Sequence, residues 1–405
     1  MREITARLGC TGCGCCFVVC PVGCISMVED SEGFLYPVIE EGTCVSCGRC
    51  ARACPANVMP GEAQEDSEYY MAQHRDPNIL KRCSSGGVFD ALAELVLSDG
   101  GVVFGAVRED VSGEVRHARA EDLAGIEPMR LSKYSQSLAW ESYEEARACL
   151  LQHRRVLFTG TPCQLAGLRS YFGKLGDSPD LVTMEVLCHG VTSRRVVDAY
   201  RRSQERRLGK VVAGIRFRDK GGRWGWEDSS HAVLSVTGQG GVEELRDRND
   251  AFMYGYIRSL YLRESCYRCR YCAVRRQSDF TAGDFWGLGD NRMPVRERRL
   301  GVSLMAVTGT RAKSLLPLLE KTLSITPIDV AEALPANGAL VRPAKRPELR
   351  DTILASIDSN DFNSLLGCYF AKGILKRRIK SLIGPKVSKA VKTVKLAMQE
   401  KFTRS

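Results

Sequence analysis

The sequence predicts a multidomain protein with α+β and α/β parts: a small cysteine-rich module, a large mixed-sheet domain and a basic helical tail. The chain has 405 residues, which is too long for one ordinary core and suggests two or three domains. Ten of its 18 cysteines fall within the first 54 residues. Beyond them, strand-like and helix-like runs alternate, as they do where helices pack on a mixed sheet.

The composition is that of a globular protein rich in thiols. Hydrophobic residues make up 44% of the chain and charged residues 26%, which are ordinary fractions. Residues 1–9 lack the apolar run of a secretory signal, and no stretch approaches the roughly 18 apolar residues of a spanning helix. We therefore expect a cytoplasmic protein with reduced thiols, whose grouped cysteines indicate metal or redox chemistry.

Residues 1–60 are predicted to form a module that binds two 4Fe-4S clusters. The spacing Cys-x2-Cys-x2-Cys-x3-Cys-Pro occurs twice, at Cys10–Pro21 and at Cys44–Pro55. This is the bacterial ferredoxin spacing, in which three cysteines of a run hold one cluster and the fourth ligates the other. Small residues such as Gly12 and Gly48 allow the backbone to loop closely round a cluster. The predicted ligands are Cys10, Cys13, Cys16 and Cys54 for the first cluster, and Cys20, Cys44, Cys47 and Cys50 for the second.

Structural zinc is the alternative for these cysteines, because Cys-x2-Cys pairs also bind zinc. The repeated four-cysteine pattern favours iron–sulfur clusters, since soft thiolates suit them. Cys15 and Cys24 lie outside the pattern and are predicted not to be ligands.

The large middle domain is predicted at residues 69–344, after an acidic linker at 60–68. It divides into an N-terminal part at about 69–170 and a C-terminal part at 171–344. Alternation at period two predicts an antiparallel strand pair at 215–218 and 231–236. Buried strands are predicted at 101–107, 155–160 and 181–187, with helices at 88–97 and 141–151 before the first two.

Four motifs in this domain indicate a second site. Ser84-Ser85-Gly86-Gly87 opens a predicted helix, whose free amides favour phosphate; a plain helix cap is the alternative. Cys163 and Cys188 follow predicted strands, at the ends where α/β sheets bind ligands. The run Cys266-x2-Cys269-x2-Cys272 supplies further thiols. Cys163 and Cys188 together with one Cys-x2-Cys pair of this run would make a four-thiolate site.

Taken in order, these motifs resemble the coenzyme F420 hydrogenase/dehydrogenase beta-subunit family with its N-terminal ferredoxin fusion. The resemblance covers roughly residues 1–340, and Gly283–Gly287 is similar to the bacterial branch associated with polysaccharide-synthesis loci. The segments that carry it are Cys83–Phe89, Leu131–Ser137, Thr159–Leu168, Val186–Val191 and Cys266–Gly287.

The resemblance implies an FAD in the middle domain and a third 4Fe-4S cluster beside it, although no Gly-x-Gly-x-x-Gly fingerprint is present. The implied ligands of the third cluster are Cys163, Cys188, Cys266 and Cys269, with Cys272 as an alternative ligand. The implied flavin contacts are Ser85, Gly86, Gly87, Ser132, Lys133, Tyr134, Gln136 and Thr161.

The function implied by the resemblance is that of a flavin-dependent iron–sulfur oxidoreductase. Electrons would pass between the ferredoxin-type clusters and an FAD that reacts with a two-electron donor or acceptor, coenzyme F420-like or another organic substrate. The expected partner is a redox protein or a small-molecule donor or acceptor. One alternative is an electron-transfer subunit that lacks flavin chemistry and docks to a partner enzyme; another is a non-catalytic protein at the membrane surface.

The net charge of +10 belongs to the C-terminal tail. Residues 369–405 contain eleven Lys or Arg and one Glu, so the remaining chain is near neutral. A basic amphipathic helical tail is predicted at 362–405, interrupted at Gly384-Pro385. It suits peripheral contact with an anionic membrane, here the inner membrane face, or an acidic partner. The alternative is a solvated helix docked on its own domain; the scarcity of aromatics argues against nucleic acid.

Overall fold

A computed structural model describes residues 4–57, 66–109, 113–221, 226, 232–238, 241–246, 251–289, 291–359 and 361–383. Within these residues the strands form three sheets, of two, three and eight strands. Among the helices of the same residues, none is both long and apolar enough to cross a membrane.

The N-terminal module repeats one small unit twice. Each cysteine run ends in a short helix, α1 (Cys15–Val18) or α2 (Arg49–Arg52), and the residue before each helix is a glycine with positive φ. Gly14 has φ 72° and Gly48 has φ 69°, a conformation that other residues adopt only with strain. The antiparallel strands β1 (Ile25–Glu29) and β2 (Leu35–Ile39) lie between the two runs.

A large mixed sheet forms the centre of the molecule, as the sequence predicts. Its strand order is β13-β3-β12-β11-β7-β6-β4-β5, in which β4, β6, β7 and β11 run parallel and the other pairings are antiparallel. The strands are β3 (Ser67–His74), β4 (Val102–Arg108), β5 (Val115–Ala120), β6 (Val156–Gly160), β7 (Leu181–Val186), β11 (Phe280–Asp284), β12 (Ser303–Thr308) and β13 (Leu323–Ile328). The predicted linker at 60–68 is wrong at its end, because Ser67 and Glu68 pair with β12; residues 60–65 lie outside the described residues.

Helices cover the sheet and connect its strands. Both predicted helices are present, and the second, α5 (Tyr143–Leu151), begins two residues later than expected because a 3-10 turn occupies Ala139–Ser142. The helices beyond the module are α3 (Pro77–Arg82), α4 (Val88–Ser98), α5 (Tyr143–Leu151), α6 (Pro162–Phe172), α7 (Arg194–Leu208), α8 (Ala251–Ile257), α9 (Val295–Arg298), α10 (Gly309–Leu319), α11 (Val330–Ala333), α12 (Arg350–Ser356) and α13 (Phe362–Ile383).

The third sheet contains the predicted antiparallel pair. Strands β8 (Val212–Arg216) and β9 (Val233–Gly238) are antiparallel, and β10 (Gly241–Arg246) pairs with β9. His231, which the prediction placed in the second strand, lies outside the described residues. This sheet, α7 and α8 share an apolar core with α12 and the beginning of α13.

The first part of the predicted tail packs on the rest of the chain. Phe362 and Leu366 are buried in the core beneath α7 and α8, so the packed body extends beyond residue 344. Farther along α13, Leu375 and Ile379 are exposed. Residues 384–405, with the predicted interruption at Gly384-Pro385, lie outside the described residues.

A buried ion pair beneath the large sheet yields a stability prediction. Glu185 on β7 and Arg276 are both almost fully buried, and Arg276 Nε donates to Glu185 Oε1 over 2.6 Å. Arg276→Met leaves a buried carboxylate without its cation, so we expect the free energy of unfolding to fall by about 3–5 kcal/mol. Anaerobic denaturant unfolding measures this. The double variant E185Q/R276M should recover much of the loss; equal losses in the single and double variants would contradict the assignment.

Candidate functional site

The cysteines of the module surround two small cavities. One cavity of about 20 Å³ is lined by Cys10, Cys13, Cys16 and Cys54, which we call the first thiol set. Another of about 20 Å³ is lined by Cys20, Cys44, Cys47 and Cys50, the second thiol set. The fourth cysteine of each run thus lies with the three of the other run, as the ferredoxin spacing predicts.

The two cysteines outside the pattern also lie near these sets. Cys15 is buried and its Sγ approaches the carbonyl of Ala53 at 3.3 Å. Cys24 lines the second cavity, with its Sγ 3.4 Å from that of Cys20. Cys24 is therefore a neighbour of the predicted ligand Cys20, which the spacing of the cysteine runs does not indicate.

A third group of thiols forms where strands of the large sheet end. Cys163 is the second residue of α6, directly after β6, and Cys188 follows β7 by two residues. Cys266 lies in the 3-10 turn Glu264–Arg268, and Cys269 is the residue that follows this turn. Burial raises the pKa of Cys163 to about 11 and that of Cys266 to about 12, with a further contribution from the neighbouring thiols of the group. We call Cys163, Cys188, Cys266 and Cys269 the third thiol set.

Cys272, the alternative ligand, lies beside this set. A hydrogen bond between the side chains of Cys269 and Cys272 raises the pKa of Cys269 and lowers that of Cys272. Cys188 and Cys266 also act electrostatically on Cys272. Five thiols therefore converge where four would serve a cluster.

The chemistry of the thiols bears on which metals they suit. Soft thiolates bind zinc as well as iron–sulfur clusters, and the exchange of fourth cysteines between the two runs of the module is the arrangement of a two-cluster ferredoxin. Among the described residues, no group of three or more His, Cys, Asp or Glu side chains is arranged to hold a metal ion.

The first and third thiol sets lie close to each other. A Cβ placed on Gly167, in α6, would stand 3.0 Å from Cys13 Sγ, so this helix touches the first set directly. Tyr143 joins the same two parts, since its hydroxyl donates to the carbonyls of Cys13 and Gln164 over 3.2 and 2.8 Å. Electrostatic repulsion from Cys163 contributes to the raised pKa of Cys13, after the larger effects of burial and Cys15.

A cavity of about 720 Å³ adjoins the third thiol set. Cys188, His189 and Gly190 form part of its wall. Of the eight predicted flavin contacts, six line it: Ser85, Gly87, Ser132, Lys133, Tyr134 and Thr161. The volume falls within the range of cofactor pockets, roughly 300–1,000 Å³.

Two of the predicted flavin contacts lie elsewhere. Gly86 is held against β3 and β12, where its amide donates to Ser303 Oγ over 2.9 Å and any Cβ would meet Ala72 O at 2.3 Å. Gln136 Nε2 donates to the carbonyls of Thr11 and Gly12 over 3.0 and 3.1 Å. Gln136 therefore contacts the first cysteine loop, and does not line the cavity.

Hydrogen bonds hold the Ser-Ser-Gly-Gly turn at the cavity wall. Ser85 Oγ donates to Val302 O over 3.0 Å, and Ser132 Oγ lies 3.2 Å from Ser84 Oγ. Burial lowers the pKa of Lys133 to about 7, and its Nζ donates to the carbonyls of Pro128 and Arg130. The turn precedes α4, whose first residues Val88 and Phe89 also line the cavity.

Two buried side chains in the cavity wall were not singled out by the sequence. Burial lowers the pKa of His117 to about 4, so its ring is neutral, and Nε2 must donate to Thr159 O over 2.7 Å. His117 Nδ1 is then an acceptor, and it is buried without a hydrogen-bond partner. The Oδ1 of Asn337 is a second buried acceptor without a partner. A ligand in this cavity would need N–H or O–H groups to satisfy both acceptors.

Asp284 and Trp286 also belong to this wall. Arg218 donates to Asp284 Oδ2 over 2.6 Å, and the indole of Trp226 donates to Asp284 Oδ1 over 2.6 Å. The rings of Trp226 and Trp286 stack with centroids 5.0 Å apart. Asp284 thus holds Arg218 and the Trp226–Trp286 pair at one end of the cavity. Arg223–Gly225, the residues before Trp226, lie outside the described residues.

Comparisons with known proteins match two parts of this chain to known families. Residues 9–58 match the family described as a 4Fe-4S dicluster domain, and residues 153–330 match the family described as the C terminus of the coenzyme F420 hydrogenase/dehydrogenase beta subunit. These matches define an iron–sulfur electron-transfer protein. Residues 153–330 thus carry the C-terminal part of the coenzyme F420 hydrogenase/dehydrogenase beta subunit, and residues 9–58 carry a 4Fe-4S dicluster domain, which confirms the resemblance seen in the sequence.

Similar curated proteins match short parts of this chain. One subunit of the Na(+)-translocating ferredoxin:NAD(+) oxidoreductase complex of Acetobacterium woodii is 43% identical over 61 residues, which are 15% of this chain and 17% of that protein. An uncharacterized ferredoxin of Methanocaldococcus jannaschii is 39% identical over 56 residues, 14% of this chain and 71% of that protein. A second ferredoxin of that organism is 35% identical over 71 residues, 17% of this chain and 38% of its own length.

One solved structure similar to this chain is the F420-reducing [NiFe] hydrogenase complex from Methanosarcina barkeri. The matched chain is 16% identical, with a TM-score of 0.46, and the match covers 76% of this chain and 94% of that one.

Removing one thiol tests the third set. We expect Cys163→Ala, prepared anaerobically, to lose about one cluster's iron and to keep the iron of the module, because the first and second sets stay intact. Iron and sulfide analysis per chain measures the loss.

Cys149→Ala is the matched control, since Cys149 is a buried thiol in α5 that belongs to no set. Unchanged iron in C163A would remove Cys163 from the ligands. Parallel measurements on C269A and C272A decide which of those two thiols completes the third set.

Proposed function

We propose that this protein is an iron–sulfur flavoprotein oxidoreductase with three 4Fe-4S clusters, one on each thiol set, and an FAD in the large cavity. It passes electrons between the ferredoxin-type clusters and a two-electron donor or acceptor, which is coenzyme F420-like or another organic molecule. The family matches support an iron–sulfur protein related to oxidoreductases. The flavin, the third cluster and the organic substrate are what we propose in addition.

The continuity of the three sets and the cavity carries this proposal. Cys188 of the third set lines the cavity, while Cys163 of the same set lies beside Cys13 of the first set. The first and second sets share a small module in which the two cysteine runs exchange their fourth residues. Redox centres bound here would therefore form one series from the cavity to the outer end of the module.

The residues of the cavity fit a flavin dinucleotide. When bound, FAD exchanges electrons in pairs with organic molecules and singly with iron–sulfur centres. His117 Nδ1 and Asn337 Oδ1 are acceptors for its N–H or hydroxyl groups, and the amino end of α4 is suited to phosphate. Arg218, which is paired with Asp284, also lines the wall, and Lys133 adds positive charge when it is protonated.

A second candidate function has its own observation. Val22 and Val45 line the second cavity and are 46% and 60% exposed, and Cys47 of the second set is exposed as well. Apolar side chains at the surface beside a redox centre suit a protein partner. This favours an electron-transfer subunit that docks to a partner enzyme at the module, and flavin content separates the two candidates.

Anaerobic purification followed by cofactor extraction tests the proposal. We expect iron and sulfide for three clusters per chain, and FAD either retained or bound when added back. Absorbance changes during anaerobic mixing with reduced nicotinamide, reduced deazaflavin or reduced ferredoxin then identify the donor. Full iron with no flavin and no binding of added FAD would overturn the flavoprotein proposal and support the docking subunit.

The buried acceptor of His117 yields a binding prediction. His117→Phe keeps an aromatic ring against Phe158 but removes the acceptor, so we expect protein freed of flavin to bind FAD about 5- to 10-fold more weakly. A fluorescence titration with FAD measures the affinity. Ser142→Ala is the control, because Ser142 Oγ donates to His117 O yet does not line the cavity. Equal affinities in wild type and H117F would remove His117 from the binding site.

The lysine of the cavity wall yields a pH prediction. Because burial lowers the pKa of Lys133 to about 7, the side chain is largely neutral above that pH in the empty protein. Anionic phosphates of a bound dinucleotide favour its ammonium form, so binding takes up a proton above pH 7 and the FAD affinity falls as the pH rises from about 7 to 9. Titrations at several pH values measure this. The variant K133Q should flatten the profile; an identical slope in K133Q would show that another group is responsible.

A further inference from the structure

Arg263 connects the third thiol set to the first. Its backbone is built into the third site: its amide donates to Val191 O over 3.0 Å, and its carbonyl accepts from the amide of Cys266 over 2.9 Å. Its side chain is fully buried and extends to the first cysteine loop. One residue thus spans the space between the two sets.

The guanidinium is held by neutral partners. Nε donates to Cys10 O over 2.9 Å, Nη1 to Gln136 Oε1 over 3.0 Å and Nη2 to Leu35 O over 3.0 Å. Nη2 also lies 3.7 Å from Cys10 Sγ, within reach of a hydrogen bond to sulfur. The ring of Tyr36 lies 4.2 Å from the guanidinium carbon. All three nitrogens therefore have partners, and the group is fixed in place.

Arg263 differs in one respect from four of the five other buried arginines among the described residues. Arg130, Arg218, Arg276 and Arg350 each pair with a carboxylate. Among the described residues, no carboxylate pairs with Arg263. Burying an unpaired charge is costly, so the site calls for an anion near Cys10. A cluster held by four thiolates carries net negative charge and would meet this requirement.

We propose that Arg263 is a positioning residue that stabilises the reduced state of the cluster on the first thiol set and thereby raises its reduction potential. Reduction adds one electron to that cluster and makes and breaks no bond, so its negative charge grows by one beside a fixed cation. Positive charge and hydrogen bonds to cluster sulfur favour the reduced form. The inference rests on the iron–sulfur part of the proposed function and is independent of flavin.

The midpoint potential of the first-set cluster tests this inference. Dithionite titrations of the full chain, followed by low-temperature electron paramagnetic resonance, are run on wild type, R263Q and R263K; the signal that Cys10→Ser removes identifies the cluster. We expect a more negative potential in R263Q and a smaller shift in R263K, which keeps the charge. A merely structural role would lower iron content or stability in both variants and leave the potential of the remaining cluster unmoved.

Arg350→Gln is the matched control. Arg350 is buried like Arg263 and also reaches the module, where it donates to Glu32 Oε2 over 2.6 Å, but this carboxylate neutralises its charge and lies outside the first thiol set. We expect R350Q to lower stability without shifting the potential. An R263Q potential equal to that of wild type, or an equal shift in R350Q, would overturn the proposal.

A measurement on the wild-type chain covers the case in which R263Q fails to keep its cluster. Protein containing arginine labelled with ¹⁵N only in the guanidinium is reduced, and pulsed paramagnetic resonance detects nitrogen coupled to the first-set cluster. We expect a guanidinium coupling in wild type that disappears in R263K. Absence of the coupling in wild type would also overturn the proposal.

Discussion

The close approach of the first cysteine loop to the central domain is the constraint on which the redox arrangement depends. Two glycines make it possible. A Cβ on Gly14 would stand 2.3 Å from the ring of Trp140, and one on Gly167 would stand 2.9 Å from Cys13 Cβ. Because Gly14 and Gly167 have no side chains, the first cysteine loop packs directly on α6 and Trp140. The first and third thiol sets lie on opposite sides of this contact. A bulkier residue at either position would move the module away from the sheet.

The parallel centre of the large sheet explains why distant motifs meet. Strands β6, β7 and β11 lie side by side and run in the same direction, so the segments that follow them emerge at one edge. Thr161, Cys188 and Asp284 stand at these strand ends, although they are far apart in the sequence. Ligands of α/β sheets bind at such an edge, which is also where the large cavity opens.

Local sequence patterns predicted those parts of the site whose residues lie close together in the sequence or directly follow a strand. The doubled cysteine run indicated two crossed thiol sets, and strand-ending motifs indicated Cys163 and Cys188 before any contact was known. The side chain of Gln136 contacts the module while its motif neighbours line the cavity, a difference that the motif itself does not indicate. His117 and Arg263 carry no local signature, since a buried acceptor without a partner, or a cation without a carboxylate, is defined only by residues distant in sequence.

The exposure of the thiols differs between the two ends of the module. The first set is wholly buried, whereas Cys47 of the second set stands at the surface. Dissolved oxidants therefore meet the outer end before they reach the interior, and damage by air would begin there. Under the proposed arrangement, a preparation that has lost iron from the second thiol set would keep the cluster of the first set, which is buried.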